Sequence, residues 1–381
     1  MMQKRMKLVF LSHESTCTGG AQKCLLDLIK GIKQIHSDWQ IFLIFPNQGD
    51  LVKACQPYVT DYLIVKMKWW LMDESKARSP KKKITYWMHC LKACWKIRHF
   101  LQSIQPDHTI SNTLALPHLA ITSRWLGIRH TWFLHEIPEN TWHHIALLLG
   151  TEKTLKLVNR LSERVLVPSD YAYRYYQGHI KESKLHTILQ AVELPPATQI
   201  LQRHPEYSVL LVGSFDSNKG QLELLQAIHL IQQSHRNIHV YLTGPDNGGM
   251  KPCKQYIQEN QMDQLVEILP FTSGITSLYQ RTDVVAVCSL VETFGRVAIE
   301  AQLCGLPVIL ANTSANPERI INGVNGLLYE KGNAKDLADK IEQLRPEKVR
   351  QCMRQKLNAA ELSATFSQTA FARRFCTLLM A

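Results

Sequence analysis

The stretch Glu292-Thr-Phe-Gly-Arg-Val-Ala-Ile-Glu300, continuing through Ala301-Gln-Leu-Cys-Gly305-Leu-Pro307-Val-Ile309, decides how this chain folds. It places two carboxylates eight residues apart around a Phe-Gly turn, with an apolar run before it and another after it. Asp283 to Ser289 reads as a buried strand, Leu290 to Gly295 as the turn at its carboxyl end, and Val297 to Cys304 as the following helix. A strand, a turn and a helix in that order make one unit of a parallel α/β sheet.

The same alternation extends outward on both sides. Short apolar runs bounded by polar or turn residues predict strands at Leu8–Leu11, Ile41–Phe45, His108–Ile110, His130–Leu134 and Arg164–Val167. A second series follows at Ser208–Val212, His239–Thr243, Val284–Cys288 and Pro307–Ala311. Helical periodicity lies between them, at Ala21–Lys33, Leu222–Gln233, Arg296–Cys304 and Lys335–Leu344. A chain of 381 residues is too long for one compact core. The two strand series therefore predict two doubly wound domains, 1–194 and 195–381, with the last helix as a candidate to return to the first. Pro195 and Pro196, which lack backbone donors, mark the connection. Two such domains facing each other leave a cleft, and open α/β sheets bind ligands beyond the carboxyl ends of their strands.

Glycine-bearing turns stand at three of those strand ends. Ser12 to Gly20 leads into a helix through Gly19 and Gly20, Gly213 to Gly220 leads into another, and Gly244 to Gly249 follows the next strand. None matches a P-loop or a dinucleotide fingerprint, and an ordinary left-handed turn is the competing reading for each. Lys219 sets the second apart. Standing just before a helix N-terminus, its ammonium and the first backbone N–H groups can share a diphosphate.

Within the opening stretch, Glu292 sits in a turn and Glu300 lies up to about 12 Å further on if every step between them is helical. One carboxylate can then reach a sugar and the other a ribose diol, while the amides of Thr293, Phe294 and Gly295 approach the phosphates between them. The competing reading pairs Glu300 with Arg296 on one helix face and leaves Glu292 as a helix-start carboxylate. Spacing alone leaves both open.

Here the residues resemble a family. Glu292 to Glu300, preceded by Asp283 and Ser289 and followed by Gly305-Leu-Pro307-Val308, Glu318, Gly323 and Asn325-Gly326-Leu327-Leu328, look like the Glu-x7-Glu region of retaining glycosyltransferases of family 4. The likeness is strong over the second half and weak over the first. It implies the GT-B fold, with an acceptor-binding first domain and a donor-binding second domain. It also implies that Glu292 contacts donor-sugar hydroxyls, Glu300 the ribose, Lys219 the diphosphate, and Phe294 and Gly295 the donor through backbone amides. Gly213, Lys219 and Gly220 stand where the family carries its phosphate turn, and Gly19-Gly20 resembles its N-terminal glycine turn. His135-Glu136 ends a predicted strand, as a His followed by an acid does in many members, so the resemblance places His135 near the reacting sugar. By itself His135 reads as a structural histidine before it reads as a site residue.

The resemblance implies transfer from a UDP-, GDP- or ADP-sugar with retention at the anomeric carbon, onto a glycan or lipid-linked acceptor, without a cofactor. Leaving-group charge is met by cations and N–H dipoles, and the chain has no Asp-x-Asp, which fits a metal-independent site. Two departures from the family stand out. Ser214 occupies a position where many members have arginine, with Arg296 as the candidate replacement. Ser314-Ala315 stands where a Gly-Gly pair is common. A sugar-nucleotide epimerase and a non-catalytic nucleotide-sugar-binding protein are the competing readings.

Composition adds boundaries. Ten scattered cysteines predict reduced thiols in a cytoplasmic protein, and the i, i+4 pair Cys90 and Cys94 reads as helix packing before it reads as a metal site beside His89. No window approaches the length of a membrane-spanning helix, and the N-terminus lacks the apolar run of a signal peptide. The net charge of +12 is concentrated between residues 66 and 98, which also hold four of the eight tryptophans. That segment is a candidate for docking on an anionic membrane surface at its inner face, with the tryptophans in the interface and Lys81, Lys82 and Lys83 at phosphates. The alternative is an amphipathic helix whose Trp87, Leu91, Trp95 and Ile97 face the core. Nucleic acid is disfavoured, since no recognisable module for it is present.

Overall fold

The computed structural model describes residues 5–73, 77, 79–138, 145–194, 205–234, 237–271 and 274–381. The chain divides into two compact units, Met1–Ala191 with Phe366–Ala381, and Val192–Thr365. The Pro195-Pro196 connection lies outside the described residues, as do residues 74–76 and 78 of the basic segment.

The first unit is built on a seven-stranded sheet. Its strands are β1 (Lys7–Leu11), β2 (Gln40–Phe45), β3 (Asp61–Ile64), β5 (His108–Ser111), β6 (Arg129–Phe133), β8 (Arg164–Val167) and β9 (Leu185–Thr187). They run parallel in the order β3-β2-β1-β5-β6-β8-β9. Alternate residues of β1 supply different cores: Leu8 and Phe10 pack with the Gly20–Ile35 helix, and Val9 and Leu11 with Ile97 and Leu101 of the Pro80–Ile104 helix. Strands buried on both faces read as nearly continuous apolar runs, which is why they are visible in the sequence. A separate antiparallel pair joins β4 (Leu71–Asp73) to β7 (Ile145–Leu147).

The C-terminal helix, Gln368–Met380, completes this unit by lying on the Gly20–Ile35 helix. Phe371 and Phe375 enter the core behind β1, and Gln368 donates to the buried Asp27 carboxylate at 3.1 Å. Gly31 makes the approach possible, since a Cβ there would stand 2.1 Å from the Gln368 carbonyl oxygen.

The second unit has six parallel strands in the order β12-β11-β10-β13-β14-β15. They are β10 (Tyr207–Val212), β11 (Ile238–Thr243), β12 (Val266–Leu269), β13 (Val284–Val287), β14 (Val308–Ala311) and β15 (Gly326–Tyr329). Val209 and Leu211 face one core and Leu210 the other, and β13 repeats the division with Val284 and Ala286 against Val285 and Val287. From β10 the chain moves outward to β11 and β12, then returns to place β13 on the opposite side of β10. The reversal makes the β10/β13 boundary the topological switch point, where the turns at the carboxyl ends diverge and leave room for a ligand. In the first unit the corresponding boundary is β1/β5.

All ten cysteines are free thiols. Cys90 and Cys94 lie in the core of the first unit with their sulfurs 3.9 Å apart, while His89 is exposed and bonded to the Thr85 carbonyl. Among the described residues, no helix is long and apolar enough to cross a membrane. The Pro80–Ile104 helix overturns the expectation that Trp87, Leu91, Trp95 and Ile97 share a core face. Ile97 is buried and Trp87 half-buried, whereas Leu91 and Trp95 are exposed. Trp70 corrects the other expectation for that segment. Its ring is fully buried and its indole N–H donates to the Leu114 carbonyl, so it is not available to an interface.

Candidate donor site at a strand switch point

The two turns at the β10/β13 boundary are joined by one side chain. The Asn218 amide accepts from Val291 N–H at 2.9 Å and donates to the Val291 carbonyl at 3.1 Å, while the Asn218 carbonyl accepts from Leu290 N–H at 2.7 Å. Asp216 shapes its own turn, its carboxylate taking the N–H groups of Asn218 and Lys219 and the Ser214 hydroxyl. Gly220 closes that turn with φ 71°. A Cβ there would meet the Cys288 carbonyl oxygen at 2.3 Å, so the position requires glycine on two counts. The Gln221–Gln232 helix starts immediately afterwards.

These contacts bring Lys219 onto Glu292. The ammonium lies 2.5 Å from Glu292 Oε1, which also accepts from the Ser289 hydroxyl at 2.8 Å. Both side chains keep an exposed fraction, 25% for Lys219 and 17% for Glu292. Burial works to lower the Lys219 pKa, but the Glu292 carboxylate, with Asp216 behind it, outweighs that and holds it above the ordinary lysine value. Gly213 leaves the space for the lysine stem, since a Cβ there would stand 3.0 Å from Lys219 Cγ.

Ser314 supports Glu292 from the other side. It adopts the left-handed conformation at φ 50° and its hydroxyl accepts the Glu292 N–H at 2.8 Å. A backbone with positive φ favours glycine, and here the hydrogen bond offsets the strain of a side chain. Gly295 is left-handed as well, at φ 79°, and precedes the Arg296–Leu303 helix. Phe294 points its ring into the protein beneath the Arg319 guanidinium, so this turn offers Thr293-Phe294-Gly295 backbone and not an aromatic face.

Glu300 is buried one turn into that helix with both oxygens engaged. Arg296 Nε reaches Oε1 at 3.2 Å and the Tyr279 hydroxyl donates to Oε2 at 2.9 Å. The helix pair that spacing allowed is therefore formed. Arg296 is held to Glu300, which is how it stands with respect to the gap left by Ser214. Burial, then the Glu300 charge, push the Tyr279 hydroxyl pKa well above its ordinary value and keep it a donor.

In the first unit His135 follows β6 and meets Asn112, which follows β5. The Asn112 amide donates to the Ala21 carbonyl in the first turn of the Gly20–Ile35 helix, so its Oδ1 takes the proton on His135 Nε2, 2.9 Å away. Gln190 donates to His135 Nδ1 at 3.1 Å. The imidazole is thus a fixed neutral tautomer, and burial together with repulsion from His13 depresses its pKa to about 3. Gly19 caps the helix in an extended conformation, and a Cβ on Gly20 would meet nothing within 4 Å. Sequence reasoning passed over Asn112, Gln190, Asn218 and Tyr279, which belong to no motif.

Residues 198–361 match the family described as glycosyl transferases group 1. The second unit belongs to the group 1 glycosyltransferase family. The chain is 32% identical over 143 residues to the D-inositol 3-phosphate glycosyltransferase of Pseudarthrobacter chlorophenolicus, covering 36% of this chain and 34% of that protein. It is 31% identical over 134 residues to the capsular polysaccharide biosynthesis glycosyltransferase CapM of Staphylococcus aureus, covering 35% of each. Such matches span only about a third of those relatives' length. The group 1 unit and its partner unit together share their fold with Anabaena HepE, solved with UDP and glucose. The TM-score is 0.76 at 20% identity, covering 99% of this chain and 100% of that one. The fold is of the GT-B type, an α/β architecture with two parallel-sheet units.

Proposed function

We propose that this chain is a retaining, metal-independent glycosyltransferase that moves a hexosyl group from a nucleoside-diphosphate sugar to a glycan or lipid-linked acceptor. The observation that carries the reading is the Lys219–Glu292 pair on two joined turns at the β10/β13 switch point. The group 1 family match and the relatives named for sugar transfer support it.

The chemistry follows from where charge develops. Breaking the anomeric C–O bond leaves positive charge on the sugar and negative charge on the departing nucleoside diphosphate. The acceptor oxygen bonds to the anomeric carbon from the same face, and its proton goes to the leaving phosphate oxygen. Lys219 and the amide groups opening the Gln221–Gln232 and Arg296–Leu303 helices supply fixed positive potential to that phosphate. Glu292 orders the ammonium before the donor arrives and accepts hydrogen bonds from the sugar once it is bound. Glu300, held by Arg296 and Tyr279, presents a carboxylate to the ribose diol. His135, neutral through the physiological range and with both ring nitrogens held by Asn112 and Gln190, is no reservoir for the transferred proton.

Incubation with a panel of UDP-, GDP- and ADP-sugars, reading nucleoside diphosphate release, tests the reading. Release from one donor, abolished in Glu292→Ala, is the expected result. Donor binding without release for any donor and acceptor would make the chain a non-catalytic binding protein. Interconversion of the sugar without release would make it an epimerase.

A further inference from the structure

The Pro80–Ile104 helix carries two apolar faces. One, with Tyr86, Cys90, Ala93, Cys94, Ile97 and Leu101, is buried in the first unit. The other consists of Ile84, Met88, Leu91 and Trp95, exposed by 64%, 58%, 52% and 60%. At about 100° per residue these four fall within roughly 60° of one another, making a stripe three turns long on the solvent side. Trp95 stands against the His99 ring edge-on, with centroids 4.1 Å apart.

Charge decides what covers this stripe. The helix contains no Asp or Glu and holds Lys81, Lys82, Lys83, Lys92, Lys96 and Arg98. On the same angular count Lys81, Lys92 and Lys96 flank one side of the stripe and Arg98 the other. A second copy of the chain applied through this face would set like charges against like. A helix with Trp and Leu on one face and cations at its shoulders matches a surface that is apolar below and anionic above.

We infer that this helix docks the protein in the plane of an anionic lipid bilayer, Ile84, Met88, Leu91 and Trp95 entering the acyl boundary while the flanking lysines and Arg98 contact headgroup phosphates. The inference rests on the helix alone and stands whether or not the glycosyltransferase reading holds. It sharpens the expectation for residues 66–98: the docking element is the helix stripe, and the buried Trp70 is excluded.

The test is sedimentation of the full chain with vesicles of phosphatidylcholine alone and of phosphatidylcholine mixed with phosphatidylglycerol. The wild type should pellet with the mixed vesicles and stay in solution with the neutral ones. The exposed-site double variant Leu91→Glu/Trp95→Glu should lower vesicle partitioning by about tenfold or more, and Lys81→Glu/Lys92→Glu should do so in low salt. Circular dichroism melts should match the wild type in both. Binding that ignores anionic lipid content, binding that survives Leu91→Glu/Trp95→Glu, or retention on duplex nucleic acid with no vesicle binding would overturn the inference.

Discussion

Lys219 Nζ lies 2.5 Å from Glu292 Oε1, a contact across 73 residues of sequence that joins the turn after β10 to the turn after β13. The two groups have separate tasks in the proposed reaction, one toward phosphate and one toward sugar. Glu292→Gln keeps the size and removes the charge. It should cut turnover by about 10²- to 10³-fold, the scale of a lost transition-state contact, while nucleoside diphosphate affinity changes by less than about threefold. Steady-state kinetics beside calorimetric titration separates the two effects.

Asn218 is predicted to be as important to the site's shape as either charged residue. Asn218→Ala leaves the Val291 N–H and carbonyl without their partner, a loss of about 1–3 kcal/mol if they stay buried. Urea denaturation should register that loss, and donor KM should rise because Leu290–Gly295 is no longer held to the lysine turn.

Gly220→Ala forces a Cβ onto the Cys288 carbonyl at 2.3 Å in a left-handed backbone. Destabilisation of about 2 kcal/mol or more is expected. A thermal melt within error of wild type would mean that the turn is built differently.

Tyr279→Phe removes the hydroxyl that donates to Glu300 Oε2. If Glu300 is the ribose ligand, the loosened carboxylate should weaken discrimination between a nucleotide sugar and its 2′-deoxy counterpart, raising donor KM more than it lowers kcat.

Acid should unfold the first unit before its carboxylates are titrated. Burial depresses the pKa of His108 and His118 to about 4, of His135 to about 3, and of His130 well below its ordinary 6.5, with charged neighbours adjusting all but His118. Each binds its proton more readily in the unfolded chain, so the stability they confer is present above 6.5 and is lost as pH falls toward 4. At about pH 5.5 each contributes a loss of order 1 kcal/mol. The melting temperature should therefore fall steeply between about pH 7 and pH 5. Replacing His118 with Gln should flatten part of that slope.

The sheets were legible because their central strands are buried on both sides. Val209-Leu-Leu211 and Val284-Val-Ala-Val287 are apolar without interruption, and the carboxylate spacing after β13 placed the site. Edge strands such as β3 and β12, half-exposed and interrupted by polar residues, carry no such signal. The Pro80–Ile104 helix misled for a physical reason. It has two apolar faces, and periodicity reports that a face exists without saying which one meets the core. Asn112, Asn218 and Gln190 were invisible because a polar residue that bridges two loops depends on partners 23 to 91 positions away. The glycine habit of position 314 was legible as a departure, but the Ser314 hydrogen bond that makes it tolerable is seen only in three dimensions.

In the proposed reaction the β10/β13 switch point holds the donor and Lys219 is its phosphate ligand. Calorimetric titration of UDP, GDP and ADP into the wild type and into Lys219→Ala tests it most directly. One of the three should bind the wild type, and the alanine variant should lose at least about tenfold in affinity, equivalent to about 1.4 kcal/mol. Binding of equal strength in both proteins, or of none of the three to the wild type, would contradict it.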